Sequence, residues 1–251
     1  MLSKNRIKEI QCLHFKKHRD NLRLFLVEGV KTVNEVLATR PEIIRHLYCI
    51  EDFNRKQLPD SLAEKCEIIT GEDLMKISLQ KNPNQVLCIC NYLNSPSVNF
   101  NFNESFSLYL DDIRDPGNFG TIIRLANWYG IKKIFASPSS CDLYNPKVIQ
   151  STMGAFLRVE VIYCDLSELI PENNIHRVYG AVLNGAEIYK AELSPGLIVI
   201  GNEANGIHEN NLKLLTHPIT IPAANNGDME SLNAAIAASI ITSEFYRQIH
   251  Q

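Results

Sequence analysis

Short apolar runs alternate with amphipathic stretches from the start of the chain. Over residues 3–18, apolar side chains recur at spacings of three and four, which predicts a helix. Apolar runs bounded by polar residues then predict strands at residues 24–27, 47–50, 68–70 and 86–90, with helices at residues 30–37 and 71–77. This alternation is typical of an α/β fold. We therefore predict a small α/β domain over residues 1–92.

The pattern breaks in the middle of the chain and then resumes. Residues 91–105 are rich in Asn, Ser and Pro and have little apolar periodicity, which predicts a linker that we place at residues 93–105. A second domain follows over residues 106–251. Its predicted strands lie at residues 108–110, 134–136, 159–162, 178–182, 197–200 and 219–221, and its predicted helices at residues 120–129, 147–153, 212–215 and 231–249. Because these strands are apolar along most of their length, we expect a mostly parallel sheet with helices on both faces.

Composition restricts the class of protein. The chain contains seven cysteines without a CxxC pair, and this odd number favours reduced thiols in a cytoplasm over a disulfide framework. Zinc requires clustered ligands, and the sequence offers none, so we expect no metal. No apolar run approaches the ~20 residues of a membrane helix, and the N-terminus lacks the apolar core of a signal peptide. The sequence predicts a cytoplasmic protein without membrane segments.

Charge is distributed unevenly along the chain. Residues 1–50 contain ten Lys or Arg against five Asp or Glu, although the formal net charge of the whole chain is −3. Such a basic end can neutralise RNA phosphates, and it is equally compatible with a solvated helix face. The cations nearest the N-terminus are Lys4, Arg6, Lys8, Lys16, Lys17, Arg19 and Arg23.

Three polar segments of the second predicted domain each follow an apolar strand, where α/β proteins place their ligands. They are residues 115–120 (DPGNFG) with Arg124, residues 201–206 (GNEANG), and residues 221–222 (IP) with residues 230–233 (ESLN). The second segment lacks the Gly-Lys-Ser/Thr of a P-loop, and the chain has no GxGxxG, GxSxG or HExxH motif. Nucleotide binding by a known fingerprint and the commonest hydrolase mechanisms are therefore disfavoured.

Taken singly, these residues have ordinary structural explanations. Glu203 is compatible with a solvated turn. Ser231 is compatible with the N-cap of the last helix, which would place Asn233 in the first turn. Arg124 could pair with Asp112 or Asp115.

In their order and separation, however, the three segments resemble the signature motifs of the SpoU (TrmH-type) branch of the SPOUT RNA methyltransferases. Motif one corresponds to Asp115, Pro116, Asn118, Gly120 and Arg124, motif two to Gly201, Glu203 and Gly206, and motif three to Ile221, Pro222 and residues 230–233. This resemblance covers residues 108–249. Residues 1–92, which include FLVEG at positions 25–29, resemble the ribosomal-protein-like substrate-binding domain that often precedes this catalytic domain.

The resemblance implies a fold and an activity. The implied fold is a parallel α/β domain with a C-terminal trefoil knot that forms a homodimer and holds S-adenosylmethionine in the knot. The implied activity is methyl transfer to a ribose 2′-hydroxyl of structured RNA, either ribosomal or transfer RNA. Substrate-side roles then fall to Arg124, Asn118, Glu203, Ser231 and Asn233, and cofactor-side roles to Gly201, Asn202, Ile221, Pro222, Leu232 and Asn233.

The third segment departs from the family pattern. Ala223 stands where Met is common, the loop over residues 223–229 is longer than usual, and Ala234 and Ala235 stand where Val and Ser are frequent. Two alternatives also remain: a non-catalytic RNA-binding dimer, and a methyltransferase that acts on an RNA base. Retention of the polar residues of all three segments disfavours the first, and the combination of Arg124 with Asn233 favours ribose over base.

Overall fold

A computed structural model of the protein describes residues 1–94, 100–224 and 231–250. The chain divides into two compact units, the first made of residues 1–95 and 142–157 and the second of residues 96–141 and 158–251. The predicted boundaries had placed residues 142–157 in the second domain. This segment groups with the first unit because Tyr144 and Phe156 pack on Phe25, at ring-centroid distances of 4.7 and 5.8 Å.

A four-stranded sheet with strand order β1-β4-β2-β3 forms the centre of the first unit. Strand β4 is antiparallel to both β1 and β2, whereas β2 and β3 are parallel. The elements are α1 (Lys4–Cys12), α2 (Lys16–Leu22), β1 (Leu24–Glu28), α3 (Val30–Thr39), β2 (Ile44–Cys49), β3 (Cys66–Ile68), α4 (Gly71–Ile77) and β4 (Val86–Asn91), with short 3₁₀ turns at Pro41–Ile43, Arg55–Gln57, Asp60–Lys65 and Ala155–Leu157. From the later segment comes α6 (Pro146–Thr152), which packs against β1.

The prediction of one helix over residues 3–18 is wrong, because the chain breaks between α1 and α2. Arg19 stabilises this break. Its Nη1 atom donates to the carbonyl oxygens of Leu13 and His14, at 3.0 and 2.8 Å. These carbonyls would accept backbone N–H groups one turn further on in a continuous helix. Two helices, α1 and α2, therefore replace one.

The second unit contains a six-stranded sheet in the order β10-β8-β9-β5-β6-β7, with every neighbouring pair parallel. Its strands are β5 (Phe106–Leu110), β6 (Lys133–Ala136), β7 (Glu160–Tyr163), β8 (Val178–Glu187), β9 (Gly196–Ile200) and β10 (His217–Thr220), and its helices are α5 (Pro116–Trp128), α7 (Leu166–Glu172), α8 (Glu209–Leu212) and α9 (Ala234–Ile249). The predicted parallel α/β sheet is confirmed. Helix α5 begins four residues earlier than predicted, so the DPGNFG segment belongs to its first turns.

Helices cover both faces of this sheet, as the apolar strands required. On one face, Phe245 of α9 packs on Phe106 and Tyr179, at ring-centroid distances of 5.6 and 4.8 Å. On the other face, Leu166 and Leu169 of α7 belong to a buried cluster with side chains of the central strands. Strands β5 and β9, at the centre, are buried at every position. The rigid core of the unit therefore lies directly beneath the loops that follow these two strands.

The last helix is fixed at its C-terminal end by a carboxylate. Arg247 and Gln248 donate hydrogen bonds to Glu244, and these bonds lower the pKa of the Glu244 carboxyl to about 2. The stabilisation from Glu244 is present above its unfolded pKa and is lost as the pH falls through about 2. Within residues 1–94, 100–224 and 231–250, no helix is both long and apolar enough to span a membrane.

Candidate functional site

Strand order places a ligand site between β5 and β9. From β5 the chain proceeds outward through β6 and β7, whereas β9, β8 and β10 lie on the opposite side of β5. Such a switch point leaves a crevice at the carboxyl ends of the two central strands, where open α/β sheets bind ligands. Here Leu110 pairs with Ile200, and the next residue, Asp111, donates its backbone N–H to the Ile200 carbonyl at 2.9 Å. Motif two begins directly after Ile200, and motif one begins five residues after Leu110.

Motif one is built as a capped helix start. The Asp115 side chain accepts the backbone N–H of Asn118 at 2.8 Å, and Pro116 occupies the first helical position, where its missing N–H costs nothing. Phe119 and Gly120 are buried beneath the turn. The Asn118 side chain is thereby held half-exposed over the carboxyl edge of the sheet.

Asn118 connects all three predicted motifs. Its Nδ2 atom donates a short hydrogen bond to Glu203 Oε1 of motif two. Its Oδ1 atom accepts from Asn233 Nδ2 of motif three, at 3.0 Å. Ser231 Oγ also donates to the Glu203 carbonyl oxygen, at 3.4 Å. We call Asn118, Glu203, Ser231 and Asn233 the polar cluster; the structure brings together four of the five residues predicted to act on the substrate.

Motif two is a tight loop that closes on itself. Asn202 and Gly206 exchange backbone hydrogen bonds of 3.0 and 2.8 Å, and the Asn202 side chain accepts the N–H of Ala204 at 2.9 Å. Asn202 Nδ2 also donates to the carbonyl oxygen of Asp112 at 2.8 Å, which ties this loop to motif one. A Cβ atom at Gly201 would overlap backbone atoms of Gly206 and Ile207, at the other end of the loop. Only glycine therefore fits at position 201.

In motif three, Asn233 rather than Ser231 caps the last helix. Asn233 Oδ1 accepts the backbone N–H groups of Ala235 and Ile236, at 3.0 and 3.2 Å, and α9 begins at the next residue, Ala234. The predicted cap at Ser231 is wrong because the chain becomes helical only three residues later. Asn233 thus uses its oxygen for the helix and its Nδ2 for Asn118, so the cap also orients the polar cluster.

The remaining predicted cofactor residues lie on loops at the same edge of the sheet. Ile221 and Pro222 follow β10, and Leu232 precedes the α9 cap with 45% of its surface exposed. Backbone groups beside an exposed apolar side chain suit an adenosyl group, which needs hydrogen bonds at its rim and an apolar contact on its face. The residues present therefore fit S-adenosylmethionine. Most of the predicted long loop over residues 223–229 lies outside the described residues.

Arg124 lies apart from the polar cluster. It is exposed on α5, and it makes no hydrogen bond or ion pair with the residues that the structure describes. The predicted ion pairs of Arg124 with Asp112 or Asp115 are wrong, because Asp112 pairs with Arg114 at 2.8 Å and Asp115 caps the helix. Its guanidinium group is therefore available for a partner outside the chain.

The sequence interpretation missed the side chains that support motif one from the β6 side. Ser140 Oγ donates to the Leu110 carbonyl at 3.0 Å and accepts the N–H of Ile113 at 3.2 Å. Ser137 Oγ accepts the N–H of Asp112 at 2.9 Å. The available signal was the serine-rich turn SPSS that directly follows a buried strand. Among the described residues, no group of three or more His, Cys, Asp or Glu is arranged to hold a metal ion.

We predict that Gly201→Ala weakens cofactor binding while the protein stays folded. The added methyl group cannot fit without displacing the backbone at Gly206 and Ile207, and that displacement moves the loop that borders the cofactor. Isothermal titration calorimetry with S-adenosylmethionine should show a fall of at least about tenfold in affinity. Gly71→Ala is the matched control, because nothing lies near its added methyl group. Unchanged affinity in Gly201→Ala would remove motif two from the cofactor site.

Comparison with family models assigns both parts of the chain. The model of the SpoU rRNA Methylase family matches residues 105–243, and the model of the MRM3-like substrate binding domain matches residues 4–88.

Individual relatives share nearly the whole length of the chain. The 23S rRNA (guanosine(2553)-2'-O)-methyltransferase RlmP of Bacillus subtilis is 28% identical over 94% of this chain and 94% of its own. A solved candidate RNA methyltransferase of the TrmH family from Porphyromonas gingivalis is 33% identical, with a TM-score of 0.84 over 99% of both chains. The AdoMet-bound rRNA methyltransferase from Sinorhizobium meliloti is 26% identical, with a TM-score of 0.86 over 98% of this chain and 97% of its own.

Proposed function

Because the chain belongs to the SpoU rRNA methylase family, we propose that it methylates a ribose 2′-hydroxyl of 23S ribosomal RNA through the polar cluster. It is an S-adenosylmethionine-dependent RNA 2′-O-methyltransferase. The choice of ribosomal over transfer RNA is supported by the similarity to the 23S rRNA enzyme of B. subtilis, which extends over both units. The observation that carries the site assignment is the contact of Asn118 with both Glu203 and Asn233.

Methyl transfer requires that the ribose 2′-hydroxyl is aligned with the methyl group and that the hydroxyl proton is accepted by another group. S-adenosylmethionine, when bound, supplies an electrophilic methyl group. The protein then has to direct a ribose hydroxyl in line with that group and exclude water. A free arginine is a poor base because its pKa exceeds about 12. We therefore assign Arg124 to orienting the 2′-hydroxyl and a neighbouring RNA phosphate, with that phosphate as a candidate acceptor of the hydroxyl proton.

The polar cluster positions the substrate and borders the cofactor. Glu203 presents carboxylate oxygens that can accept a ribose hydroxyl, and Asn118 fixes one of them. Ser231 holds the backbone of Glu203 in place. On the cofactor side, backbone groups of the other predicted residues and the exposed Leu232 side chain would hold the adenosyl and methionyl parts; the residues concerned are Gly201, Asn202, Ile221, Pro222 and Asn233.

A homodimer would complete the site. Helices α5 and α9 pack together and leave exposed apolar side chains: Trp128 is 82% and Ile236 is 52% exposed. Exposed apolar side chains on two packed helices are compatible with an interface between protomers. Arg124 lies one turn before Trp128 on the exposed side of α5. Pairing of two such surfaces would place Arg124 of one protomer near the polar cluster of its partner.

The C-terminal segment supports the proposed trefoil knot. After β10 at the edge of the sheet, the chain returns to α9, which packs on α5 and on the central strand β9. Ser231, three residues before α9, is hydrogen-bonded to the loop of motif two. Threading of α9 beneath an earlier loop would explain how all three motifs come together.

For the first unit we propose RNA binding in the cytoplasm. Lys16 and Lys17 are exposed, and the segment matches a substrate-binding domain model. The seven cysteines are free thiols, as expected in a reducing compartment.

The proposal is tested by methyl transfer in vitro. Purified protein with tritiated S-adenosylmethionine should label unmodified 23S rRNA, and mapping should place a single 2′-O-methyl group on a ribose. We also propose that methyl transfer needs no metal ion, so EDTA should not reduce the rate with an RNA that stays folded. Labelling of transfer RNA alone would change the proposed substrate from ribosomal to transfer RNA. Methylation on a base would support the base-modifying alternative. RNA binding without any labelling would support the non-catalytic alternative.

A further inference from the structure

We infer that Arg114 is a phosphate-binding residue of the methylation site, held in position by Asp112 to contact the RNA backbone beside the target ribose. The inference rests on the proposed function, because it assigns a contact with the RNA substrate of that same site. Arg114 lies in the turn between β5 and α5, directly before the helix cap Asp115. This turn is part of the carboxyl edge of the sheet, where parallel sheets bind their ligands.

Asp112 is fixed from both sides of this turn. Its backbone adopts the left-handed conformation, with φ of 58°, which L-residues seldom occupy. Its N–H donates to Ser137 Oγ at 2.9 Å, and its carbonyl oxygen accepts from Asn202 Nδ2 at 2.8 Å. The loops after β6 and β9 thus enforce the conformation together. Backbone strain of this kind clusters at functional sites.

The Asp112 carboxylate in turn fixes the direction of Arg114. Its Oδ1 atom accepts from Arg114 Nε at 2.8 Å, and the Arg114 side chain stays 70% exposed. An ion pair this exposed contributes little to stability, so orientation of the guanidinium is the better explanation for it. Within the described part of the chain, the terminal nitrogens of Arg114 have no partner. They present the parallel N–H donors that match two oxygens of a phosphate.

The other carboxylates of the turn do not compete for Arg114. Asp111 accepts the backbone N–H of His208 at 2.8 Å, and Asp115 accepts that of Asn118 at 2.8 Å. Asp111 is occupied by a donor from the loop after β9, and Asp115 by a donor from the helix that it caps. The exposed guanidinium of Arg114 is the cation of this turn, four residues before Asn118 of the polar cluster.

The test compares Arg114→Ala with the wild type in three measurements. Binding of a 23S rRNA transcript, measured at several salt concentrations, should weaken about tenfold, with a salt slope lower by about 0.7–0.9. The KM for this RNA should rise, whereas calorimetry should show unchanged affinity for S-adenosylmethionine. Lys132→Ala, an exposed cation at the amino edge of the sheet, should change none of these values.

Asp112→Gly removes the acceptor that orients Arg114, and glycine tolerates the left-handed conformation at this position. This change removes one negative charge, so a freely moving Arg114 would bind RNA more tightly in the variant. If Asp112 orients Arg114, RNA binding instead weakens. Tighter RNA binding in Asp112→Gly, or an unchanged salt slope in Arg114→Ala, overturns the inference. A loss of cofactor affinity in Arg114→Ala would also overturn it, by assigning Arg114 to the cofactor carboxylate. A wild-type protein that methylates no RNA would instead contradict the proposed function.

Discussion

Replacement of Arg124 by alanine should reduce methyl transfer by about 10²–10³-fold or more, the range seen when one preorganised group that stabilises a transition state is removed. The affinity for S-adenosylmethionine should stay close to that of the wild type, because Arg124 makes no described contact with the loops assigned to the cofactor. Single-turnover kinetics with saturating RNA would measure the first effect, and calorimetry the second. Asn127→Ala is the control, as it removes another exposed polar side chain from the same helix.

Mixed dimers can show whether Arg124 acts in its own protomer or in the partner. Arg124→Ala keeps the polar cluster, and Asn233→Ala keeps the arginine, so each variant alone should be inactive. If Arg124 acts across the dimer, an equal mixture after subunit exchange contains one complete site in each mixed dimer. Random pairing then restores about a quarter of the wild-type activity.

Two outcomes would contradict this assignment. Activity of Arg124→Ala near that of the wild type would remove Arg124 from the mechanism. A mixture that remains inactive, although mixed dimers are seen by native mass spectrometry, would place Arg124 and the polar cluster in the same protomer.

The sequence predicted the parallel sheet of the second unit well because most of its strands contain an apolar run. Strands β5 and β9 are buried on both faces, so their apolar composition alone identifies them as strands of a covered sheet. The motifs were predictable for a related reason: each begins where such a run ends in a polar turn. The contact of Asn118 with Asn233 could not be predicted, because 115 residues separate them along the chain.

Charge in the first unit was harder to interpret from sequence. Seven cations near the N-terminus suggested one basic surface, but their environments differ. Arg6 is bonded to Glu9 and Tyr48, and the Arg23 guanidinium lies 4.5 Å from the Tyr92 ring. Lys16 and Lys17 are exposed, whereas Arg19 is only 2% exposed. Sequence gives the sign of a charge, and only tertiary packing decides whether water or RNA can reach it.

Arg19 is the residue of the first unit for which substitution should be most destabilising. Its Nη2 atom forms an ion pair of 2.7 Å with Asp142, whose side chain is 14% exposed. Its Nη1 atom satisfies the carbonyl oxygens of Leu13 and His14 between the first two helices. Removal of one partner of a buried ion pair costs about 3–5 kcal/mol, because the other charge is left buried without compensation. That cost is a large part of the roughly 5–15 kcal/mol by which a domain is stable.

We therefore expect Arg19→Met to lower the free energy of unfolding of the first unit by about 3–5 kcal/mol. Hydrogen-exchange mass spectrometry should show faster exchange in residues 142–157 and in β1, and unchanged exchange in β5 and β9, which belong to the other unit. Arg45→Met, at an exposed arginine of the same unit, should change stability by less than about 0.5 kcal/mol. The double variant Arg19→Met with Asp142→Asn should recover part of the loss, since no uncompensated charge remains. If instead the double variant loses as much unfolding free energy as the two single variants together, the ion pair does not hold residues 142–157 in the first unit. The packing of Tyr144 and Phe156 on Phe25 would then hold this segment alone.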